Sequence, residues 1–579
     1  MIALGSPNAS LSLFRMSSTW FRTMAAAAFA VTLNAGSATV QTAANAPIEI
    51  SFTAAQNHPD PFNQVVLDVG FTDPSGVSRK VPAFWAGGKQ WKARYASPLL
   101  GLHRWRSECS DSGDSGLHGV QGSIAVTAYK GDNPLFRRGP IRVAQDKRHL
   151  EYRDGTPFFW LGDTWWMGLC NRLHWPEEFQ QLAADRKAKG FNVIQIVAGL
   201  YPDMFPFDPR GANEAGYPWE TNYTRIRPEY FDAADRRLRY LIDEGFTPCI
   251  VGAWGYFMPW MGVEKMEKHW RYLIARYGAL PVVWCAGGEA NLPWYLAKGF
   301  PYDDRNQVHD WTRILRFIRA NDPFNRLLTI HPTGIGRLSA RNATDDTSLL
   351  DIDMLQTPHG QREAVSPTVR TMRQSYSDKP IMPVINGEAA YEMLLDRIPA
   401  QWPRAMFWVC MMNGAAGHTY GANGIWQLNR RGKPHGASPN GTGNGYGVIP
   451  WDDAMRLPGS EQVGLGKKFL ESLPWTQLKP MPESAAWTDG AKNPLLGPQA
   501  CGIGDDLRLV YALDPRPLIV SSLRSSSTYN VSRFDPVTGT RTPESEAKTT
   551  ATGSAEFEPP SPGHDWVLLL ERADRLNKE

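Results

Sequence analysis

Two glutamates stand out among the 579 residues: Glu289 in Val-Val-Trp-Cys-Ala-Gly-Gly-Glu289-Ala-Asn and Glu388 in Ile-Met-Pro-Val-Ile-Asn-Gly-Glu388-Ala-Ala-Tyr-Glu. Each follows a short apolar run that reads as a buried strand, at a glycine-containing turn. A carboxylate at the C-terminal end of a parallel strand is where a β/α barrel places its chemistry. Two carboxylates from different strands suffice to cleave a glycosidic bond, one donating a proton to the leaving oxygen and one attacking the anomeric carbon.

The elements needed to position such a pair can be read from the chain. From Ile48 to Val143 short period-two runs alternate with Gly, Pro, Asn and Asp, which predicts an N-terminal Ig-like β-sandwich over residues 47–145. After His149 strand-like runs alternate with amphipathic stretches. The strand candidates are Phe158–Gly162, Asn192–Val197, Thr247–Gly252, Val282–Ala286, Leu327–His331, Leu350–Leu355, Ile381–Asn386 and Met411–Tyr420. Helical spacing marks Pro176–Lys189, Pro228–Glu244, Val263–Tyr277 and Arg305–Asn321. Together these predict a (β/α)8 TIM barrel over residues 146–480, with Glu289 after the fourth strand and Glu388 after the seventh. Short strands at Leu507–Leu513, Leu518–Leu523, Tyr529–Asp535 and Trp566–Glu571 predict a second β-sandwich over residues 481–579.

Composition narrows the function classes. A formal charge of +3 gives no basic excess of the kind nucleic-acid binders carry. The 22 tryptophans favour a carbohydrate ligand, because indoles stack on the C–H faces of sugar rings. Arg15 and Arg22 precede the apolar stretch Met24–Leu33, and Ala44-Asn45-Ala46 resembles a cleavage site, so residues 1–46 read as an export signal leading to a periplasm or the cell exterior. That stretch is too short to span a bilayer, and no later segment qualifies. The six cysteines lack C-x-x-C spacing, and no tight ligand cluster calls for a metal; no cofactor is expected. One disulfide is compatible with export, but the spacing selects no pair.

The barrel resembles the apiosidase-like glycoside hydrolases. The resemblance rests on Pro157-Phe-Phe-Trp-Leu-Gly-Asp163-Thr-Trp165-Trp166, Gly287-Gly288-Glu289, Asn386-Gly387-Glu388 with Tyr391-Glu392, Ala416-Gly-His418-Thr-Tyr420-Gly-Ala-Asn423-Gly-Ile-Trp426, Leu457-Pro-Gly-Ser and Pro474-Trp475. The flanks agree: the N-terminal segment is similar to a small domain that often precedes such barrels. Arg533-Phe-Asp-Pro-Val-Thr-Gly is similar to a module labelled collagen-binding in these proteins. The resemblance implies a retaining hydrolase of plant-type poly- or oligosaccharides, with Glu289 as acid/base and Glu388 as nucleophile. Two positions depart from the pattern. Family members commonly carry Asp in the Gly-Gly-acid motif, and the wider superfamily places Asn where Gly288 stands, which points away from an ordinary hexopyranoside.

Further candidates follow from their places at strand ends. Asp163 with Trp165 and Trp166 is expected to form one pocket wall. Tyr201, Trp254 and Trp426 are candidate stacking faces, and His331, His359, His418 and Tyr420 candidate hydroxyl binders. Asp351 and Asp353 lie within the sixth strand and read as structural. Two other readings use the same mouth: an inactive carbohydrate-binding protein, and a polysaccharide lyase, which would need a cationic pocket for uronic acids.

Overall fold

The computed structural model describes residues 30–31, 39–292, 304–439, 445–490, 493–561 and 563–574. Eight parallel strands form the centre: β1 (Trp160–Thr164), β2 (Val193–Val197), β3 (Thr247–Val251), β4 (Val283–Cys285), β5 (Leu328–Thr329), β6 (Asp353–Gln356), β7 (Val384–Glu388) and β8 (Gly417–Tyr420). Their hydrogen-bonded order is β5-β4-β3-β2-β1-β8-β7-β6. The remaining seam is bridged by three bonds: Asp351 N donates to Leu328 O at 2.9 Å, Leu328 N to Asp351 Oδ2 at 2.9 Å and Thr329 Oγ1 to Ile352 O at 2.9 Å. Every residue of these strands is buried, as expected where helices cover one face and barrel contents the other. That double burial is why the strands read as continuous apolar runs.

The surrounding helices are α1 (Glu177–Ala188), α2 (Pro228–Asp243), α3 (Val263–Tyr277), α4 (Asp304–Asn321), α5 (Arg362–Ser377), α6 (Gln401–Met412) and α7 (Pro458–Glu471). Pro228 occupies the first turn of α2, where its missing N–H costs no bond. Between β5 and β6 the crossover holds only two 3-10 turns, Ala340–Ala343 and Thr347–Leu349. The eighth strand starts at Gly417 rather than Met411, because Met411 belongs to α6. That helix is apolar almost all round, being held between the barrel and the C-terminal domain, so it lacks the polar face that would mark it as a helix. The first strand likewise runs two residues further than expected and takes in Asp163.

The N-terminal sandwich packs the five-stranded sheet containing Leu67–Thr72, Ser78–Pro82 and Gly101–Cys109 against one containing Ile48–Thr53 and Gln90–Tyr95. Thr39–Ala43 is an edge strand of the first sheet, paired in parallel with Gln121–Thr127. The sandwich therefore includes residues ahead of the expected boundary at 46/47. Arg15, Arg22 and most of the apolar stretch lie outside the described residues. A three-stranded meander (Ile141–Val143, Leu150–Tyr152, Pro157–Phe158) joins sandwich to barrel, so the boundary at 145/146 falls inside one small sheet. The C-terminal domain pairs a sheet holding Leu507–Ala512, Thr528–Phe534 and Trp566–Arg572 with a three-stranded one.

Buried polar ties hold the three units together. Arg94 of the first sandwich reaches Glu49 at 2.9 Å and Asp235 of α2. Arg404 of α6 grips both oxygens of Asp565 at 2.9 and 2.5 Å, beside Trp408 stacked on Tyr511. Asp353 is enclosed by Arg341, Ser339 and Ser375, and Asp351 pairs with Arg319, so both are structural. All six cysteines are free and buried, with no disulfide among them. Among the described residues no helix is long and apolar enough to cross a membrane.

Candidate active site

The C-terminal mouth of the barrel opens into a cavity of about 700 Å³. Glu289 and Glu388 both line it, with Trp166, Trp254, Gln356 and His359 between them. Glu388 is the last residue of β7 and is 5% exposed. His359 Nε2 lies 2.9 Å from its Oε1, and His331 Nε2 approaches Oε2 to 3.3 Å without the alignment of a full hydrogen bond. Burial alone would raise this carboxyl. The two histidines, through their contacts and their charge when protonated, outweigh burial and hold it down at about 2.

Glu289 stands in the turn beyond β4 with φ of 43°, a left-handed backbone that costs a glutamate roughly 1–3 kcal/mol. The surroundings hold it there: Gly255 N donates to Gly288 O at 2.6 Å, Ala290 N to His331 O at 3.0 Å and Leu292 N to Glu289 O at 2.9 Å. Its side chain accepts from Gln356 Nε2 at 3.0 Å and Trp254 Nε1 at 3.2 Å. A Cβ on Gly288 would lie 2.2 Å from the Trp254 ring, so glycine is required for the indole to rest where it does. Burial first, then the negative charges of Glu388 and Asp203, push the Glu289 carboxyl up to about 8, against the opposing hydrogen bonds from Gln356 and Trp254. One carboxyl thus keeps its proton at neutral pH while its partner across the cavity is ionised.

Of the other candidates, Trp166, Trp254, His359 and Trp426 line the cavity. Trp166 donates through Nε1 to Tyr391 Oη at 2.9 Å and meets Trp254 edge-on at 5.4 Å, which fixes both rings. The remainder are placed elsewhere. Asp163 is fully buried in the barrel wall, where it accepts from Arg186 Nε at 2.6 Å and Trp165 Nε1 at 2.8 Å, so both Asp163 and Trp165 are structural. Tyr201 bonds Tyr230 at 2.5 Å and walls a separate small void. His418 packs against Phe407 in the core, where burial depresses its pKa to about 3. Tyr420 donates to Glu392 at 2.5 Å, away from the mouth. His331 lies behind Glu388 under Trp166, touching the carboxylate rather than the cavity.

Asp203, Gln356, Tyr391 and Tyr446 complete the wall and were not picked out as site residues. Tyr391 lies three residues beyond Glu388 and Gln356 closes the β6 run, so the sequence carries a signal for both. Asp203 and Tyr446 come from long loops, and nothing local in the sequence marks them. Asp203 accepts from Ser438 Oγ at 2.7 Å and Tyr446 Oη at 3.1 Å, which ties the loop after β2 to the loop after β8. Burial first, reinforced by the charge of Glu388, pushes Asp203 up to about 6 against those hydrogen bonds. Among the described residues the lining holds three carboxyl groups and one histidine, and no lysine or arginine. Among the described residues no group of three or more His, Cys, Asp or Glu gathers as a metal site.

Several solved structures share the fold. A glycoside hydrolase family 5 protein from Bacteroides vulgatus ATCC 8482 aligns with a TM-score of 0.64 at 23% identity, covering 77% of this chain and 95% of that one. A structure described as a glycoside hydrolase aligns with a TM-score of 0.60 at 24% identity, covering 77% and 99%. No curated protein matches the chain by sequence. A model of a domain of unknown function, DUF5060, matches residues 43–110 in the first sandwich. A family model described as apiosidase-like, catalytic domain, matches residues 144–477, the whole of the barrel and more than half of the chain, and the protein belongs to this family of glycosidases.

Proposed function

We propose that the protein is a retaining glycosidase in which Glu388 is the nucleophile and Glu289 the acid/base. The observation that carries the division of roles is two carboxyls facing one cavity in opposite surroundings, which push Glu289 up to about 8 and hold Glu388 down at about 2; retention rests on the family to which the barrel belongs. In the first step Glu388 attacks the anomeric carbon while Glu289 gives its proton to the leaving oxygen. The product is a glycosyl ester on Glu388, and a departing alcohol. Esterification removes the Glu388 charge that helps hold the Glu289 proton, so Glu289 becomes a stronger acid and remains a carboxylate. In that form it takes a proton from water, which attacks the anomeric carbon and frees the sugar.

The carboxyl-rich lining supports a neutral sugar as the unit bound beside Glu388, since an anionic one would meet Glu388 and Asp203 with no lysine or arginine among the described lining residues to balance it. The same lining argues against a uronic-acid lyase. Trp166, Trp254 and Trp426 supply ring faces for stacking. The substrate class we infer is a plant-type poly- or oligosaccharide, including apiose-bearing side chains. We also infer export. Thr39–Ala43 belongs to the folded sandwich, which favours processing ahead of Thr39, where Ala35-Gly36-Ser37-Ala38 offers small residues. N-terminal sequencing of protein recovered outside the cytoplasm tests this: a start beyond residue 43 would contradict it.

The deciding experiment is proton NMR of the first sugar released from pectic oligosaccharides, by the wild type and by Glu388→Gln. Initial release in the retained anomeric configuration, absent from the variant, is the expected result. Inverted product, or full turnover by Glu388→Gln, would refute the assignment. Binding without release by the wild type would favour the inactive carbohydrate-binding protein.

A further inference from the structure

At the other end of the barrel, where the N-terminal sandwich meets the entrances to β4 and β5, three arginines converge from three parts of the chain. Arg79 comes from the sandwich strand Ser78–Pro82, on the same face as buried Val81. Arg153 comes from the turn of the meander, between Leu150–Tyr152 and Pro157–Phe158. Arg326 lies two residues ahead of β5 and is 8% exposed. Together they line a cavity of about 150 Å³ that also touches Ser97 and Phe324 and has no aspartate or glutamate in its wall.

No carboxylate pairs directly with the cluster. Among the described residues, none of the three guanidinium groups has a carboxylate within ion-pair distance. Arg326 donates from Nε to Gly278 O at 2.9 Å and from Nη2 to Ala279 O at 3.2 Å, which fixes its plane and leaves Nη1 without a protein acceptor. The Phe324 ring lies 5.5 Å beneath it. Arg79 and Arg153 make no hydrogen bond through their guanidinium groups. Burial, and then the charges of Arg153 and Arg79, depress the Arg326 pKa to about 10 despite the nearby Asp322. The repulsion falls on the buried Arg326, and an anion in the cavity would relieve it while taking charge-assisted hydrogen bonds from forked donors.

We propose that this seam is a binding site for a small oxyanion, such as phosphate or the carboxylate of an acidic sugar, separate from the carboxyl-rich mouth. The cavity volume suits one such group. Because its walls come from both sandwich and barrel, occupancy stabilises the docking of the two domains. The site is independent of the catalytic assignment, since it lies at the opposite end of the strands.

The test is thermal unfolding of the full chain in inorganic phosphate, in trigalacturonate, and in chloride at matched ionic strength, beside the Arg79→Gln/Arg153→Gln double variant. Neither substituted side chain has an intramolecular partner to lose, so the variant folds, which its circular dichroism and its melting point in chloride verify. Ligand that binds only the folded state raises the melting temperature with concentration. The expected result is a rise in the wild type with at least one probe, and an affinity weaker by about tenfold or more for each guanidinium removed. A rise at lower trigalacturonate than phosphate assigns the site to glycan carboxylates; the reverse order assigns it to free phosphate. No rise over chloride with either probe, or an equal rise in the double variant, overturns the proposal.

Discussion

Removing Gln356 should make the enzyme relatively better at high pH, although Gln356 contacts Glu289, the acid we propose. Its Nε2 donates to Glu289 Oε1 at 3.0 Å, a bond that favours the ionised carboxylate and pulls against burial and the charge of Glu388. Gln356→Leu keeps the bulk and removes the donor. A hydrogen bond to a charged group is worth about 1.5–3 kcal/mol, which at about 1.4 kcal/mol per pKa unit is a rise of roughly one to two units. The basic limb of kcat/KM, set by Glu289 at about 8 in the wild type, should therefore move up to about 9–10. At pH 9 the protonated fraction is about 0.09 for a limb at 8 and about 0.76 for one at 9.5, so activity at pH 9 relative to pH 6 should rise about eightfold. The assay is kcat/KM against pH for both proteins on whichever glycan the wild type hydrolyses, each normalised to its own value at pH 6. Two ionisable groups share the cavity, so the limbs belong to the pair. A basic limb that stays put or moves down would refute the idea that Gln356 acts on the Glu289 charge.

Glu289→Gln should lower kcat/KM on the natural glycan by about 10²–10⁴-fold, yet retain much of the first step with a dinitrophenyl leaving group, which needs little proton assistance; equal losses on both substrates would rule out an acid role. Stability should also track the pair. Glu289 goes from the ordinary 4.5 to about 8 on folding, so between those values the native state holds a proton that the unfolded chain has lost, and stability falls as pH rises through that window. Glu388 goes from 4.5 to about 2, so its contribution is present above 4.5 and is lost as pH falls towards 2. Glu289→Gln should flatten the decline between pH 4.5 and 8 by an amount on the order of a few kcal/mol, and denaturant melts at pH 5 and 8 that changed in parallel for both proteins would contradict this. Gly288→Ala places a methyl 2.2 Å from the Trp254 ring, so the indole must leave Glu289, at a cost of about 1–3 kcal/mol for the overpacking; tryptophan fluorescence should shift and turnover should drop, and an unchanged melting point with full activity would sink the argument.

Strands such as β2, β3 and β4 were legible because each is buried on both sides and reads as an apolar run, and the carboxylate pair was legible because a glycine-containing turn follows an apolar run at each site. What failed did so for the same physical reason in reverse. Helix α6, enclosed by barrel and C-terminal sandwich, carries apolar residues around its whole circumference, and Met411 was drawn into a strand. The edge strand Thr39–Ala43 has one buried side chain among exposed or half-buried ones, a weak pattern next to a small-residue stretch that resembles a cleavage site. At the mouth, adjacent residues point opposite ways. Trp166 faces the cavity while Trp165 turns into the wall towards Asp163, and one residue of register separates a sugar platform from a structural tie. Asp203 and Tyr446 reach the cavity through loop conformations that no local spacing encodes.

Gly288, Trp254 and Glu289 depend on one another. An asparagine at position 288 would carry its Cβ into the Trp254 ring, so the indole and the glycine require each other. The indole in that place donates through Nε1 to Glu289 Oε2 at 3.2 Å. Left-handed backbone is tolerated better by aspartate than by glutamate, because a short polar side chain can bond locally. The turn therefore costs glutamate more than it would cost aspartate. The extra methylene carries the carboxyl out to where the Trp254 and Gln356 donors converge on it. Both donors stabilise the ionised form, which the second step of hydrolysis needs, while burial and the Glu388 charge supply the protonated form that the first step needs. Glycine, indole and longer acid therefore act as a unit, and a single reversion at either position should leave the other two without their partner.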